Sequence, residues 1–186
     1  MVRTSPSLGG THMPKRTTTI AACAAGLAAG LVLAPVQSAM AGHTNAVLRA
    51  DLDGRSEVAT GSTDRRITGD PNGRGEIYVF GIDGDPTTLC YVLLADKIAE
   101  LDQAPGNGRA AHIHRGAEGT NGPVEVNLAW PQDGQAGDCL TEGEPGKGLD
   151  EGEVQEILAN PHDFYVNVHN TEHPNGAIRG QLHAGH

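Results

Sequence analysis

Apolar and polar residues alternate along much of the chain after residue 45, and this alternation predicts β-strands. Ala46–Asp53 and Gly73–Ile82 carry apolar residues at every second position, the period at which strand side chains share a face. Thr87–Ala95 is apolar on both faces, which is typical of a central strand. Asp83–Pro86 predicts a hairpin turn before it, because Asp, Gly and Pro favour turn conformations. Gly54–Asn72 is polar and is expected to be a loop or a weakly paired edge.

A later segment, Arg109–Leu128, predicts two strands that carry histidine on a polar face. Its sequence is RAAHIHRGAEGTNGPVEVNL. Because strand side chains alternate, His112 and His114 are expected on one face and Ile113 on the other. Asn121-Gly122 predicts the turn between the strands, since both residues tolerate positive φ.

A second segment near the end of the chain repeats this arrangement. Phe164–Leu182 reads FYVNVHNTEHPNGAIRGQL. Val166 and Val168 are expected to face the core, and Asn175-Gly176 predicts the turn. The residues predicted on the opposite, polar face are Tyr165, Asn167 and His169.

The remaining segments predict one helix and several connections. Asp150–Asn160 is expected to form the helix, capped by its first residue and ended by Pro161. Ile98–Leu101 suggests one helical turn, Trp130–Leu149 a long loop, and residues 183–186 a loose tail. With six or seven strands, the fold predicted for the domain is an all-β, antiparallel β-sandwich of immunoglobulin-like or superoxide-dismutase-like type.

The two histidine-bearing segments carry a family resemblance. AHIHRGAEGTNGPVEVNL followed by FYVNVHNTEHPNGAIRGQL resembles the CHRD domain, a module named from chordin and also found in secreted bacterial proteins. The resemblance extends over Ala46–Leu182 and implies a secreted β-rich module without an agreed catalytic activity. The cysteine-rich domains to which the growth-factor contacts of chordin are attributed have no counterpart here, so the resemblance does not imply growth-factor binding.

The start of the chain predicts a signal peptide. A basic pair of residues precedes the apolar run Ile20–Val36, and Ala39-Met40-Ala41 fits a small-residue cleavage site. Residues 1–41 are therefore expected to be removed after export. A membrane anchor is the alternative, although the run of about 17 residues is short for a span. Lipidation at Cys23 is a further alternative, but almost no apolar region precedes that cysteine.

The charge of the mature chain limits its partners. The sequence holds 13 basic and 23 acidic residues. Three basic residues and no acidic ones lie in the predicted signal peptide, so the mature net charge is −13. Such a surface argues against nucleic acid and anionic membranes as partners. The expected partner is an extracellular protein or a cell-surface component.

Two cysteines remain in the mature chain, Cys90 and Cys139. An even number in an exported protein predicts a disulfide, here across a sequence separation of 49 residues. Two thiols that bind a metal are the alternative, although they lack the close spacing of metal-binding cysteines.

The histidines are the best candidates for chemistry. His112 and His114 lie at i and i+2 of a predicted strand, about 7 Å apart at the backbone, so both rings could reach one zinc or copper ion. His169 could supply a third nitrogen and leave an open coordination position. The alternative is structural: the rings hydrogen-bond loops to the sheet. The remaining candidates, expected at most to bind metal adventitiously, are His43, His183 and His186.

Other activities find less support in the sequence. The HIH strand is similar to the copper-binding strand of copper/zinc superoxide dismutases, but the next histidine is His162, so their zinc-loop ligands have no counterpart. No Gly-x-Ser-x-Gly motif indicates a serine hydrolase. The chain is therefore expected to be a non-enzymatic module that acts in extracellular binding or structure. An extracellular metal-binding or redox protein, including a metal-dependent oxidoreductase, is the alternative. Asp83–Asp85 and Asp150–Glu153 are weak calcium candidates. The arginines expected to pair with acids or loop carbonyls, with an anion site as the alternative, are Arg109, Arg115 and Arg179.

Overall fold

The computed structural model describes residues 47–61, 67–98 and 110–185, with the side chain of residue 132 left out. The predicted signal peptide and the helical turn proposed after Ile98 lie outside these ranges. The described residues form nine strands, one α-helix and two 3₁₀ turns. The strands are β1 (Val47–Asp53), β2 (Arg74–Ile82), β3 (Asp85–Asp96), β4 (Ala111–Arg115), β5 (Val124–Asn127), β6 (Gln135–Thr141), β7 (Phe164–Val168), β8 (Ile178–Gln181) and β9 (His183–Ala184). The helix is α1 (Glu153–Ala159), and the 3₁₀ turns are Gln132–Gly134 and Pro161–Asp163.

All nine strands belong to one antiparallel sheet. Its order is β5-β4-β7-β8-β1-β2-β3-β6, and β9 pairs with β1 beside the end of β8. Apolar side chains from both halves of the sheet form one buried cluster, because the sheet curls so that its apolar face closes on itself. The prediction of an all-β fold with a single short helix is confirmed. The single sheet curls into a half-barrel, a shape that is compatible with the predicted sandwich.

Period-two alternation builds the core as the sequence predicted. Leu48, Ala50 and Leu52 of β1 are fully buried, and Val166 and Val168 of β7 are buried in the same cluster. Each large apolar side chain buried in this way adds about 1.5–3 kcal/mol to the free energy of unfolding, compared with the same side chain left exposed to water.

One predicted loop contains a strand. Within Trp130–Leu149, β6 pairs along β3, and Cys90 and Cys139 lie directly opposite one another and are disulfide-bonded. The disulfide prediction is confirmed. The loop prediction is wrong over β6, whose sequence QAGDCLT has only Leu140 buried and shows no apolar alternation. Pairing with the long neighbouring strand and the crosslink hold it in place instead.

The predicted loose tail is also wrong in part. His183 and Ala184 pair with Arg49 and Leu48 of β1, and the Gly185 N–H donates to the Val47 carbonyl at 2.6 Å. Backbone groups at a sheet edge gain from such pairing, so the chain continues alongside β1 after β8.

The helix lies close to its predicted position but is shorter. Its first turn follows Gly152, whose φ is 84°, and Asp150 provides no side-chain cap. Instead the Asp150 N–H donates to Glu153 Oε2 at 2.9 Å. The residues that α1 buries against the sheet include Val154 and Ile157. None of the helices in the described ranges combines the length and the hydropathy of a membrane span.

Arg115 ties the helix to the sheet. Its Nη2 donates to Glu156 Oε2 at 2.9 Å and its Nε to Glu125 Oε1 at 3.0 Å, while the guanidinium lies 4.8 Å from the centre of the Phe164 ring. The prediction that this arginine pairs with acids is confirmed.

Candidate metal centre

Three histidines meet on the outer, polar face of β4 and β7. His112, which is itself buried, and His114 lie on the face of β4 opposite Ile113, which belongs to the core cluster. His169 follows the last residue of β7, and its N–H donates to the Ala110 carbonyl at 2.7 Å, which extends the pairing with β4. One possible ligand atom from each of the three rings lies within 4.8 Å of the others. The structure thus brings together all three predicted ligands.

The orientation of the His114 ring is fixed by its surroundings. Its Nδ1 lies 3.1 Å from the Gly122 carbonyl oxygen. A carbonyl can only accept, so Nδ1 carries the hydrogen and Nε2 keeps a lone pair. The ring stacks on Tyr165 at 4.7 Å and 8°, and the Tyr165 hydroxyl accepts from the Gly122 N–H at 3.2 Å. One glycine therefore holds both rings of this stack.

His169 is held in the same way. Its Nδ1 lies 3.0 Å from the Pro174 carbonyl oxygen, so its Nε2 also keeps a lone pair. The Nε2 atoms of His114 and His169 are both buried and have no hydrogen-bond partner among the described residues. Burial lowers the pKa of each imidazole, which the bonded carbonyl opposes. Both rings are therefore neutral at pH 7, the form that binds a metal ion.

The turn between β4 and β5 differs from its prediction. The chain reverses at Ala117–Thr120, where the Thr120 N–H donates to the Ala117 carbonyl and Gly119 has a φ of 76°. The predicted turn at Asn121-Gly122 is wrong. Gly122 is needed for a different reason, since a Cβ there would lie 1.7 Å from the Arg115 carbonyl oxygen. The turn predicted at Asn175-Gly176 is confirmed, with the Gly176 N–H bonded to His173 O.

Arg179 of β8 fixes the loop that holds His114. Its Nη2 donates to the Thr120 carbonyl at 2.6 Å and its Nη1 to Asn121 Oδ1 at 3.2 Å. The guanidinium carbon lies 3.4 Å from the centre of the Tyr165 ring. The prediction that Arg179 bonds loop carbonyls is confirmed. Because β7 lies between β4 and β8, Tyr165 separates this cation from His114.

Sequence reasoning missed Glu57, a buried carboxyl group beside the centre. Glu57 lies in the connection after β1 and is only 7% exposed. Asn167 Nδ2 donates to its two oxygens at 2.8 and 3.0 Å, and the group lies against Gly176, where a Cβ would be 2.4 Å from either oxygen. Burial raises the pKa of Glu57 to about 8, against the opposing effects of Arg179 and Asn167. A lone glutamate in a polar segment gives no sequence signal of this.

The other candidate sites do not gather ligands in this way. Among the residues that the structure describes, no second group of three histidine, cysteine or acidic side chains converges, whether at Asp83–Asp85 or at Asp150–Glu153. The calcium predictions remain predictions. His183 lies in β9, where its ring bonds the neighbouring Ala184 carbonyl. The candidates that fall outside the described residues are His43, Arg109 and His186.

Comparison with known proteins agrees with the resemblance seen in the sequence. The family model of the CHRD domain matches residues 48–182. This range includes all the described strands apart from the first residue of β1 and the whole of β9. No curated protein and no solved structure matches the chain. Because the match spans most of the sequence and contains all three converging histidines, the chain belongs to the CHRD domain family.

Proposed function

We propose that this CHRD-family protein is a secreted, non-enzymatic module that binds one copper or zinc ion through His112, His114 and His169. The observation that carries the proposal is the pair of buried Nε2 atoms on His114 and His169 without a hydrogen-bond partner among the described residues. A buried polar atom without a partner costs about 1–3 kcal/mol. A metal ion that accepts both lone pairs would remove this cost.

The structural role predicted as an alternative is compatible with metal binding. The Nδ1 atoms of His114 and His169 bond the Gly122 and Pro174 carbonyls and so tie two loops to the sheet. This tie uses one nitrogen of each ring and directs the other toward the centre. A second bond of this kind is how proteins commonly orient a metal-binding histidine.

The donor set suits copper or zinc. Neutral imidazole nitrogens are good ligands for both ions. Three of them would leave a coordination position open, and an ion held there would act as a Lewis acid or, if it were copper, as an electron carrier. We assign the protein binding rather than catalysis, because the histidines of the zinc loop in superoxide dismutases have no counterpart in this sequence.

Several observations support an extracellular location. The Cys90–Cys139 disulfide suits an oxidising compartment, and the acidic composition suits a well-solvated exported protein. Mass spectrometry of the protein from the culture medium should find an N-terminus at Gly42. A precursor retained in the cell with its first 41 residues intact would contradict export. Pull-down from the extracellular fraction would identify the protein or cell-surface component that it binds.

Metal analysis tests the main proposal. The mature chain is purified without a tag, dialysed, loaded with Cu²⁺ or Zn²⁺, and assayed for bound metal. One ion per chain is expected for the wild type and for the control His162→Ala, which removes an exposed histidine. His114→Ala should lose the ion. At a free metal concentration of 100 times Kd, the bound ion should raise the free energy of unfolding by about 2.7 kcal/mol. A chain that binds no metal and melts unchanged with either ion would refute the proposal.

A further inference from the structure

The donors of the centre carry no charge. The Nδ1 atoms of His114 and His169 bond to the backbone carbonyls of Gly122 and Pro174 rather than to carboxylates, so each ring presents an uncharged nitrogen to the ion. The group of converging ligands among the described residues contains no acidic side chain. A divalent ion bound there would keep its full charge of +2.

Among the described residues, the charged groups around the centre do not compensate for that charge. Arg179 is positive, is only 2% exposed, and lies over the Tyr165 ring that stacks on His114. Glu125 is paired with Arg115 at 3.0 Å. In the metal-free protein Glu57, the buried acid on the other side, is protonated at pH 7 because burial raises its pKa to about 8.

Asn167 occupies the position from which the protein could have supplied a negative charge. In the sheet it lies directly between His112 of β4 and Arg179 of β8. Its side chain is an amide, and its Nδ2 donates to the Glu57 carboxyl group. The row of residues beside the histidines therefore contains a polar but uncharged group.

A buried dication without a counter-charge is strongly unfavourable, and three nitrogen ligands leave zinc or copper short of its usual coordination number. One additional ligand can meet both needs if it is negative. Building on the function proposed above, we infer that a divalent metal at His112, His114 and His169 takes a small monovalent inorganic anion other than hydroxide as its fourth ligand. The centre then binds metal and anion together, and each increases the affinity for the other.

The experiment compares a coordinating anion with a non-coordinating one. Zn²⁺ affinity is measured by calorimetry at pH 7 in sodium azide and in sodium perchlorate of equal ionic strength. We expect about tenfold tighter binding in azide, which corresponds to about 1.4 kcal/mol. The Cu²⁺-loaded protein should show a charge-transfer absorption band that saturates at one azide per copper.

Two matched variants test whether the centre lacks a negative charge beside the histidines. Asn167→Asp introduces a carboxylate of almost the same shape, to which protonated Glu57 can donate a hydrogen bond. This variant should bind Zn²⁺ more tightly in perchlorate and lose most of the azide effect. Glu57→Gln removes the only buried acid next to Asn167 among the described residues and should keep the azide effect of the wild type. Thermal melting of the metal-free variants confirms that each is folded.

The possible outcomes are distinct. If metal binds equally well in azide and perchlorate and no azide band appears, the inference is wrong although the metal site stands. Proton release on metal binding without an azide effect would also overturn the inference. Release that persists in Glu57→Gln would show that hydroxide supplies the negative charge, and release that disappears in this variant would show that Glu57 supplies it. A chain that binds no metal refutes the proposed function, and this inference with it.

Discussion

Replacing the buried carboxyl group of Glu57 with the neutral amide of glutamine should change how stability depends on pH. In the unfolded chain the carboxyl group has its ordinary pKa of 4.5, and in the folded protein burial raises the pKa to about 8. Between these values the folded state binds more protons than the unfolded state. The free energy of unfolding should therefore fall as pH rises through this window.

The size of the effect follows from the pKa shift. Each unit is worth about 1.4 kcal/mol, so the change from 4.5 to about 8 corresponds to about 5 kcal/mol over the whole window. Glu57→Gln stays neutral at every pH, and its side-chain oxygen can still accept from Asn167 Nδ2. Wild type and variant should be about equally stable near pH 4.5. Above pH 8 the variant should be more stable by about 5 kcal/mol.

Urea unfolding at intervals from pH 4.5 to 9 measures this difference. The difference between the two proteins does not contain the pH dependence that His114 and His169 contribute, because both proteins share it. The lowered pKa values of these histidines reduce the free energy of unfolding only as pH falls below the ordinary histidine value of 6.5. Glu118→Gln makes the same chemical change at an exposed position and should run parallel to the wild type. Parallel curves for Glu57→Gln and wild type would show that the carboxyl group is not buried as the structure has it.

Three further predictions test other parts of the site and the fold. Gly122→Ala should weaken metal binding more than tenfold and lower the melting temperature, because its Cβ would lie 1.7 Å from the Arg115 carbonyl oxygen. Calorimetry and thermal melting measure the two effects, and a variant with unchanged affinity and melting would contradict the close approach. Reducing the disulfide should lower the free energy of unfolding by about 4 kcal/mol, given the sequence separation of 49 residues. Unfolding with and without reductant measures this change, and equal midpoints would count against the bond. Because burial lowers the pKa of His114 and His169, protons should compete with the metal ion for these rings only below about pH 6.5. If bound metal measured against pH is lost well above that value, these rings are not the ligands.

The sequence alone was sufficient for the features that depend on local alternation. Period-two patterning predicted that His112 and His114 share a face opposite Ile113, because neighbouring strand residues must point to opposite sides of a sheet. The two cysteines of the predicted mature chain predicted the disulfide, and the apolar stripe of Asp150–Asn160 predicted the helix. In each case a single stretch of sequence, or a pair in a small set, contains the whole signal.

Features that depend on partners distant in sequence required the tertiary structure. β6 has too few apolar residues to be recognised and exists because β3 offers it a long neighbour. The sequence predicts a turn at Gly122, but glycine is required there because the Arg115 backbone passes close to it. Glu57 becomes unusual only when Asn167, 110 residues later, covers its carboxyl group. The convergence of His169 on the other two histidines likewise depends on β7 lying beside β4, because only the pairing of strands brings residues so far apart in the chain within reach of one ion.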